Sequence, residues 1–223
     1  MVVMSIISFF RPQTLERSKS SFSGEIVVIE EFGKKRMEIG GMIQSGGIVE
    51  KIWGKTVKNV QMFKCSNVQR VLILGLGAGT VAKVVSSSCQ AVQLSSCKLT
   101  GIEIDPEVIR LGKKYFGLGK IENLEIVVDD AARYVDERFK RFKRFDLILV
   151  DLFQGREIPK NCQDKKFLKS LKKIKTDEGL IIFNRFYSKE KRNETDKFVQ
   201  KCETVFNSVK TKKAICNLMV FCQ

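Results

Sequence analysis

The run Val71-Leu72-Ile73-Leu74 is continuously apolar and opens directly into Gly75-Leu76-Gly77-Ala78-Gly79. Apolar residues without polar alternation are expected of a strand covered on both faces of a parallel sheet. Val81, Val84 and Val85 then recur at helical spacing, so the segment reads as strand, glycine loop and helix. The pattern repeats downstream. Residues 99–104 read as a second strand, followed by Asp105-Pro106, an N-cap aspartate with proline at the first helical position. Residues 124–128 lead into Asp129-Asp130 and an alanine-rich helix, and residues 145–150 lead into Asp151. Phe167, Leu168, Leu171 and Ile174 form one apolar helical face, with lysines opposite. Residues 179–186 make a fifth strand, before a helix that turns Phe198, Cys202 and Val205 inward.

The flanks follow other periods. Residues 25–30 and 36–39 read as short strands about the turn Phe32-Gly33-Lys34, a small N-terminal β-hairpin appendage. Residues 52–63 place Ile52, Trp53, Thr56, Val57 and Val60 on one helical face, where Trp53 reads as a core residue more readily than as a platform for a cofactor. The polar, small-residue stretch 86–97 reads as a loop, and residues 209–221 as an antiparallel edge hairpin about Cys216-Asn217. The expected fold is α/β: a doubly wound, mostly parallel, seven-stranded sheet. Residues 1–50 form the N-terminal β segment and residues 51–223 the nucleoside-binding domain.

Composition narrows the chemistry. A chain of 223 residues supports one substantial core, and no apolar run approaches the ~18 residues of a membrane span. The apolar residues 1–10 lack a basic lead and a small-residue cleavage site, so they read as a packed or pairing segment of a cytoplasmic protein. The seven cysteines are scattered, no Cys-x-x-Cys occurs and there is no histidine, so no metal site is expected and the thiols read as structural. Acid-base chemistry then falls to carboxylates, Lys, Tyr or Cys. The formal charge of +15 raises nucleic acid as a partner. The basic residues are dispersed over 138–144, 165–175, 189–192 and 210–213, as on solvated helix faces, so nucleic acid is not favoured.

Ligands of open α/β sheets sit beyond the carboxyl ends of the strands. Gly75, Gly77 and Gly79 permit a tight turn and close backbone approach there, while Glu103 ends the second strand, where a carboxylate accepts bonds from ribose hydroxyls. Asp130, with Ala131 after it, ends the third strand and Asp151 the fourth. The dinucleotide fingerprint wants a glycine where this chain has Thr80. A sulfonium nucleoside, which carries no phosphates, fits better. For single residues two readings stand: Asp151 and Asp130 as ligand carboxylates or as caps, and Asn184 as a pocket residue or part of a turn.

The glycine-loop strand, Gly101-Ile102-Glu103-Ile104-Asp105-Pro106, Asp129-Asp130-Ala131 and Phe145-Asp146-Leu147-Ile148-Leu149-Val150-Asp151 together resemble the spermidine synthase family, of class I methyltransferase fold. The resemblance runs over residues 24–186 and includes Gly40-Gly41-Met42-Ile43-Gln44-Ser45, similar to the family's hairpin with its cofactor-side glutamine. It implies aminopropyl transfer from decarboxylated S-adenosylmethionine to a small amine. In that reading Gln44, the glycine loop, Glu103, Asp130 and Ala131 hold the cofactor, and Asp151 is the catalytic carboxylate. Gln154 stands at the substrate position where the family usually has a second Asp, and Glu50-Lys51-Ile52-Trp53 replaces its aromatic and acidic diamine signature. Two alternatives remain open: an S-adenosylmethionine-dependent methyltransferase with another acceptor, nucleic acid included, and a non-catalytic cofactor- or RNA-binding protein. Assembly as a homodimer is also left open.

Overall fold

The computed structural model describes residues 11–58, 60, 68–91, 97–140 and 144–223. The segment 1–10, the end of the expected helix beyond Lys58 except Val60, and residues 92–96 and 141–143 of the expected loop and basic stretch lie outside the described residues.

Four strands come first: β1 (Gln13–Ser20), β2 (Gly24–Glu31), β3 (Lys34–Ile39) and β4 (Met42–Gly46). They pair antiparallel in sequence order, so the appendage is a four-stranded sheet rather than a hairpin. β1 is polar at most positions and carries little apolar periodicity, which hid it from a reading based on hydrophobic pattern. Its position comes from tertiary contacts. Glu16 accepts from Lys114 Nζ and Tyr115 Oη, each at 2.7 Å, and pairs with Arg110. These partners hold the Glu16 carboxyl well below its ordinary value, at about 2.

The main sheet has the order β10-β11-β9-β8-β5-β6-β7. Its strands are β5 (Arg70–Leu74), β6 (Lys98–Glu103), β7 (Leu124–Val128), β8 (Phe145–Val150), β9 (Lys175–Phe186), β10 (Val209–Ala214) and β11 (Asn217–Cys222). β5 to β9 run parallel, while β11 pairs antiparallel with both β9 and β10. This is the expected doubly wound, seven-stranded sheet. The terminal hairpin forms, but β11 lies inside the sheet and only β10 is at the edge.

Six helices connect or cover these strands among the described residues: α1 (Gly47–Lys58), α2 (Thr80–Ala91), α3 (Pro106–Tyr115), α4 (Ala131–Lys140), α5 (Lys165–Ile174) and α6 (Arg192–Glu203). Alternate residues of the buried strands face opposite layers. Val71 and Ile73 pack with α1 and α2, whereas Leu72 and Leu74 pack with α4, α5 and α6. A third cluster joins Ile26, Val28 and Met37 of the N-terminal sheet to Ala78 of the glycine loop and to Val108 and Leu111 of α3. Helix α2 runs through Ser86 to Ala91, where the sequence suggested a loop. The serines are accommodated by local bonds, Ser88 Oγ to the Val84 carbonyl at 2.9 Å and Ser86 Oγ to Asn123 Oδ1 at 3.2 Å, and Cys89 fills the core side. No helix of the described residues is long and apolar enough to cross a membrane.

Candidate functional site

Strand register sets out the site. Leu74 is paired with Val150 on one side and Ile102 on the other, so Gly75, Asp151 and Glu103 emerge side by side from β5, β8 and β6. Glu103 is paired with Val128, which puts Asp129 and Asp130 next in the row. Backbone bonds extend the level past the strand ends: Asp151 N–H to Leu74 O at 2.8 Å, Gly75 N–H to Ile102 O and Asp129 N–H to Glu103 O, both at 3.0 Å.

A cavity of about 260 Å³ opens above this row. Gln44, Gly75, Gly77, Glu103, Asp130, Ala131, Asp151 and Gln154 all line it, as the sequence suggested. Gly79 is not among the lining residues. It has φ of +92°, and a Cβ there would come within 2.6 Å of Leu118 Cδ1, so it is required for packing at the start of α2. Gly75 is the tightest position of the loop: its φ is +83° and an added Cβ would lie 2.2 Å from the Asp151 carbonyl oxygen.

Glu103 is held by backbone donors. Its Oε2 accepts the Gly77 N–H at 2.8 Å and its Oε1 the Asp105 N–H at 3.1 Å. Burial raises its pKa, and these donors oppose the rise. Asp130 lines the cavity and also caps α4 by accepting the Arg133 N–H at 2.9 Å, so the cap does not take it out of the wall. Asp105 caps α3 by accepting the Glu107 N–H at 2.9 Å.

Asp151 accepts from two side chains, Trp53 Nε1 to Oδ2 and Asn184 Nδ2 to Oδ1, both at 2.8 Å. Neither bond closes the following turn, so the capping reading of Asp151 is replaced. Burial pushes its pKa up to about 6, against the pull of the two donors. Asn184 in turn accepts from Asn217 Nδ2 at 2.6 Å, which ties the carboxyl group to β9 and β11. Trp53 is fully buried, as a core residue should be, yet its indole N–H is spent on the site. The sequence signal was present, since a buried indole needs an acceptor. The identity of that acceptor depends on a contact across 98 positions.

Ser45 is the other residue missed. Its buried Oγ accepts the Ala78 N–H at 2.9 Å, and Thr80 Oγ1 accepts the Gly46 N–H at 2.8 Å, so β4 is bonded to the glycine loop from both directions. Gln44, next to Ser45, lines the cavity and donates through Nε2 to the Gly155 carbonyl at 3.3 Å. Across the opening, Phe153 stands against Phe186 with ring centroids 4.5 Å apart.

The charge of the lining runs against the charge of the chain. Glu103, Asp129, Asp130 and Asp151 line the cavity and, among the described residues, no Lys or Arg does, although the protein carries a formal +15. Lys51, exposed on α1, is not part of the wall. Such a wall suits a cationic ligand.

A family model described as the spermine/spermidine synthase domain matches residues 50–219. Curated relatives include a polyamine aminopropyltransferase of Vibrio vulnificus, 30% identical over 53% of this chain and 38% of the relative. Polyamine aminopropyltransferase 1 of Hyperthermus butylicus is 29% identical over 70% of this chain and 54% of its own length. The chain thus spans about two fifths to a little over half of these relatives. Among solved structures, spermidine synthase from Thermotoga maritima matches with a TM-score of 0.74 and 18% identity, over 94% of this chain and 72% of that one. Human methyltransferase-like protein 13 in complex with SAH matches with a TM-score of 0.65 and 19% identity, over 79% and 82%. At these identities the structural matches establish the fold.

Proposed function

This chain belongs to the spermine/spermidine synthase family, and from that premise we propose that it binds an adenosyl-sulfonium ligand and transfers an aminopropyl group from decarboxylated S-adenosylmethionine to an amine. The observation that carries this reading is that every charged residue of the described cavity wall is a carboxylate, in a strongly basic protein.

The residues divide the work by position. Glu103, two strands from Asp151, is placed to accept bonds from the ribose hydroxyls, and Asp130 to accept from the adenine amino group. Gly75 and Gly77 line the cavity, so the side chain of the sulfonium would pass beside backbone there. When bound, the sulfonium supplies an electrophilic carbon and a neutral leaving group. Asp151 acts on the other reactant: an alkylamine titrates near ~10.4 and arrives protonated, so its nitrogen must lose a proton before its lone pair can attack. A carboxylate with pKa near about 6 is mostly ionised at neutral pH, attracts the ammonium, and accepts that proton. The nitrogen lone pair forms the new C–N bond, the C–S bond breaks, and its electron pair stays on sulfur.

Methyl transfer from intact S-adenosylmethionine, suggested by relatives such as the eEF1A lysine and N-terminal methyltransferase homolog of Drosophila melanogaster, 23% identical over 68% of this chain, has less support. The intact cofactor brings a carboxylate, and among the described residues the wall has no guanidinium or ammonium to receive it. Calorimetric titration with the two forms and with methylthioadenosine tests the proposal. The expected result is a preference of about ten-fold or more for the decarboxylated form, lost together with methylthioadenosine binding in Glu103→Ala. Failure of all three nucleosides to bind overturns it.

A further inference from the structure

The four carboxylates of the cavity are unevenly placed. Glu103, Asp129 and Asp130 end the adjacent strands β6 and β7, whereas Asp151 ends β8, with β5 between. Two strand spacings separate Asp151 from Glu103, about 10 Å. If the nucleoside lies along β5 to β7, as in the aminopropyl-transfer reading on which this inference rests, Asp151 is the one carboxylate of the acceptor half among the described residues.

Its neighbours in that half are uncharged. Leu152, Phe153 and Pro159 are apolar, and Gln154 is a neutral amide. Cys162, whose thiol is pushed up to about 12 by burial and by Asp130 and Asp164, sits beside Asp130 on the nucleoside side of the cavity. Glu157, the acidic residue of the same loop, is exposed, paired with Lys191 and absent from the wall. Immediately beyond Cys162, Gln163 accepts from the buried guanidinium of Arg185 at 3.1 Å, and Arg185 is itself paired with Glu194, so an ion pair rather than a free negative charge lies behind this segment.

The capacity of Asp151 is limited as well. A carboxylate offers about four lone-pair directions, and Trp53 and Asn184 each occupy one. The two that remain suit one N–H from the donor's aminopropyl ammonium and one from the acceptor's nucleophilic nitrogen. A second acceptor ammonium would meet Leu152, Phe153 and the neutral amide of Gln154 with no counter-charge among the described residues, so it would give up hydration there without gaining an ion pair.

We propose that the acceptor is a primary amine carrying a single positive charge on an uncharged body, rather than a diamine. A free monoamine and the side chain of a lysine residue share that chemistry. The transfer balances as above: the acceptor nitrogen gives its proton to Asp151, bonds to the aminopropyl carbon, and methylthioadenosine leaves as a neutral thioether.

The test follows methylthioadenosine release by the full chain from decarboxylated S-adenosylmethionine, with butylamine, N-acetyl-lysine amide or 1,4-diaminobutane as acceptor. Methylthioadenosine binding is measured separately by calorimetry. One of the two monocations should show kcat/KM about ten-fold or more above the diamine, and which one identifies the source. Gln154→Asp should shift the diamine-to-monocation ratio by about ten-fold towards the diamine, because it supplies the missing counter-charge. Preference of the wild type for diaminobutane overturns the proposal, as does an unchanged ratio in Gln154→Asp. Binding of methylthioadenosine with turnover of none of the three amines also overturns it, while leaving nucleoside binding intact. No methylthioadenosine binding removes the underlying reading and this one with it.

Discussion

Trp53 Nε1 donates to Asp151 Oδ2 at 2.8 Å, joining the first helix after the N-terminal sheet to the end of the fourth strand in the parallel array. The bond joins the packing core and the chemistry of the site, since the indole is wholly buried while its acceptor lines the cavity. It stabilises the ionised carboxylate against the burial that raises its pKa.

Trp53→Phe should therefore keep most of the packing and lose the donor. The Asp151 pKa should rise further, moving the acid limb of the pH–rate profile to higher pH, with kcat at neutral pH reduced about ten-fold. Stability should fall by about 1–2 kcal/mol from lost volume and the lost bond. A pH–rate profile with an unmoved acid limb would show that the bond does not tune Asp151.

Ligand binding should depend on pH through the same group. With its pKa raised to about 6, Asp151 is neutral below that value and anionic above it, so attraction for a cation is present at neutral pH and lost on acidification. Affinity for decarboxylated S-adenosylmethionine should fall about ten-fold between about pH 7.5 and about pH 5, after allowing for the neutral methylthioadenosine. On the proposed binding mode Glu103 would meet the ribose of both ligands, so the difference between them isolates Asp151. Calorimetry across that range provides the measurement.

Gly75→Ala should damage both fold and site. The added methyl carbon would fall 2.2 Å from the Asp151 carbonyl oxygen, and φ of +83° is unfavourable for alanine. We expect a loss of about 2–4 kcal/mol in denaturant titrations, with nucleoside binding weakened as the glycine loop shifts and amine transfer lost as Asp151 is displaced.

Ser45→Ala leaves the buried Ala78 N–H without its acceptor. The expected cost is about 1–3 kcal/mol. Because that N–H belongs to the glycine loop, methylthioadenosine affinity should weaken as well, which separates this variant from a surface change of equal stability.

Much of the site was legible before the fold was known. An apolar run buried on both faces, a glycine loop that no bulkier residue fits, and an acidic residue where a strand stops are local patterns, so Gly75, Gly77, Glu103, Asp130 and Asp151 could be read from neighbours in sequence. Gly79 was legible as a required glycine but not in its role, because its contact is with Leu118, a residue of another element. Helix α2 past Ser86 was misread because serine propensity is weak evidence against burial of Cys89 on the core side.

By itself, then, the sequence determined the alternation of strands and helices and the row of carboxylates, since burial period and backbone freedom act over a few residues. Only the tertiary structure decided what surrounds that row. β11 entered the sheet beside β9, bringing Asn217 to Asn184 and Asn184 to Asp151; α1 turned the Trp53 indole to the same carboxyl; and β4 brought Ser45 to the glycine loop. These partners lie tens of residues apart, and each polar bond among them forms where packing of the apolar faces has already brought the groups together, out of water.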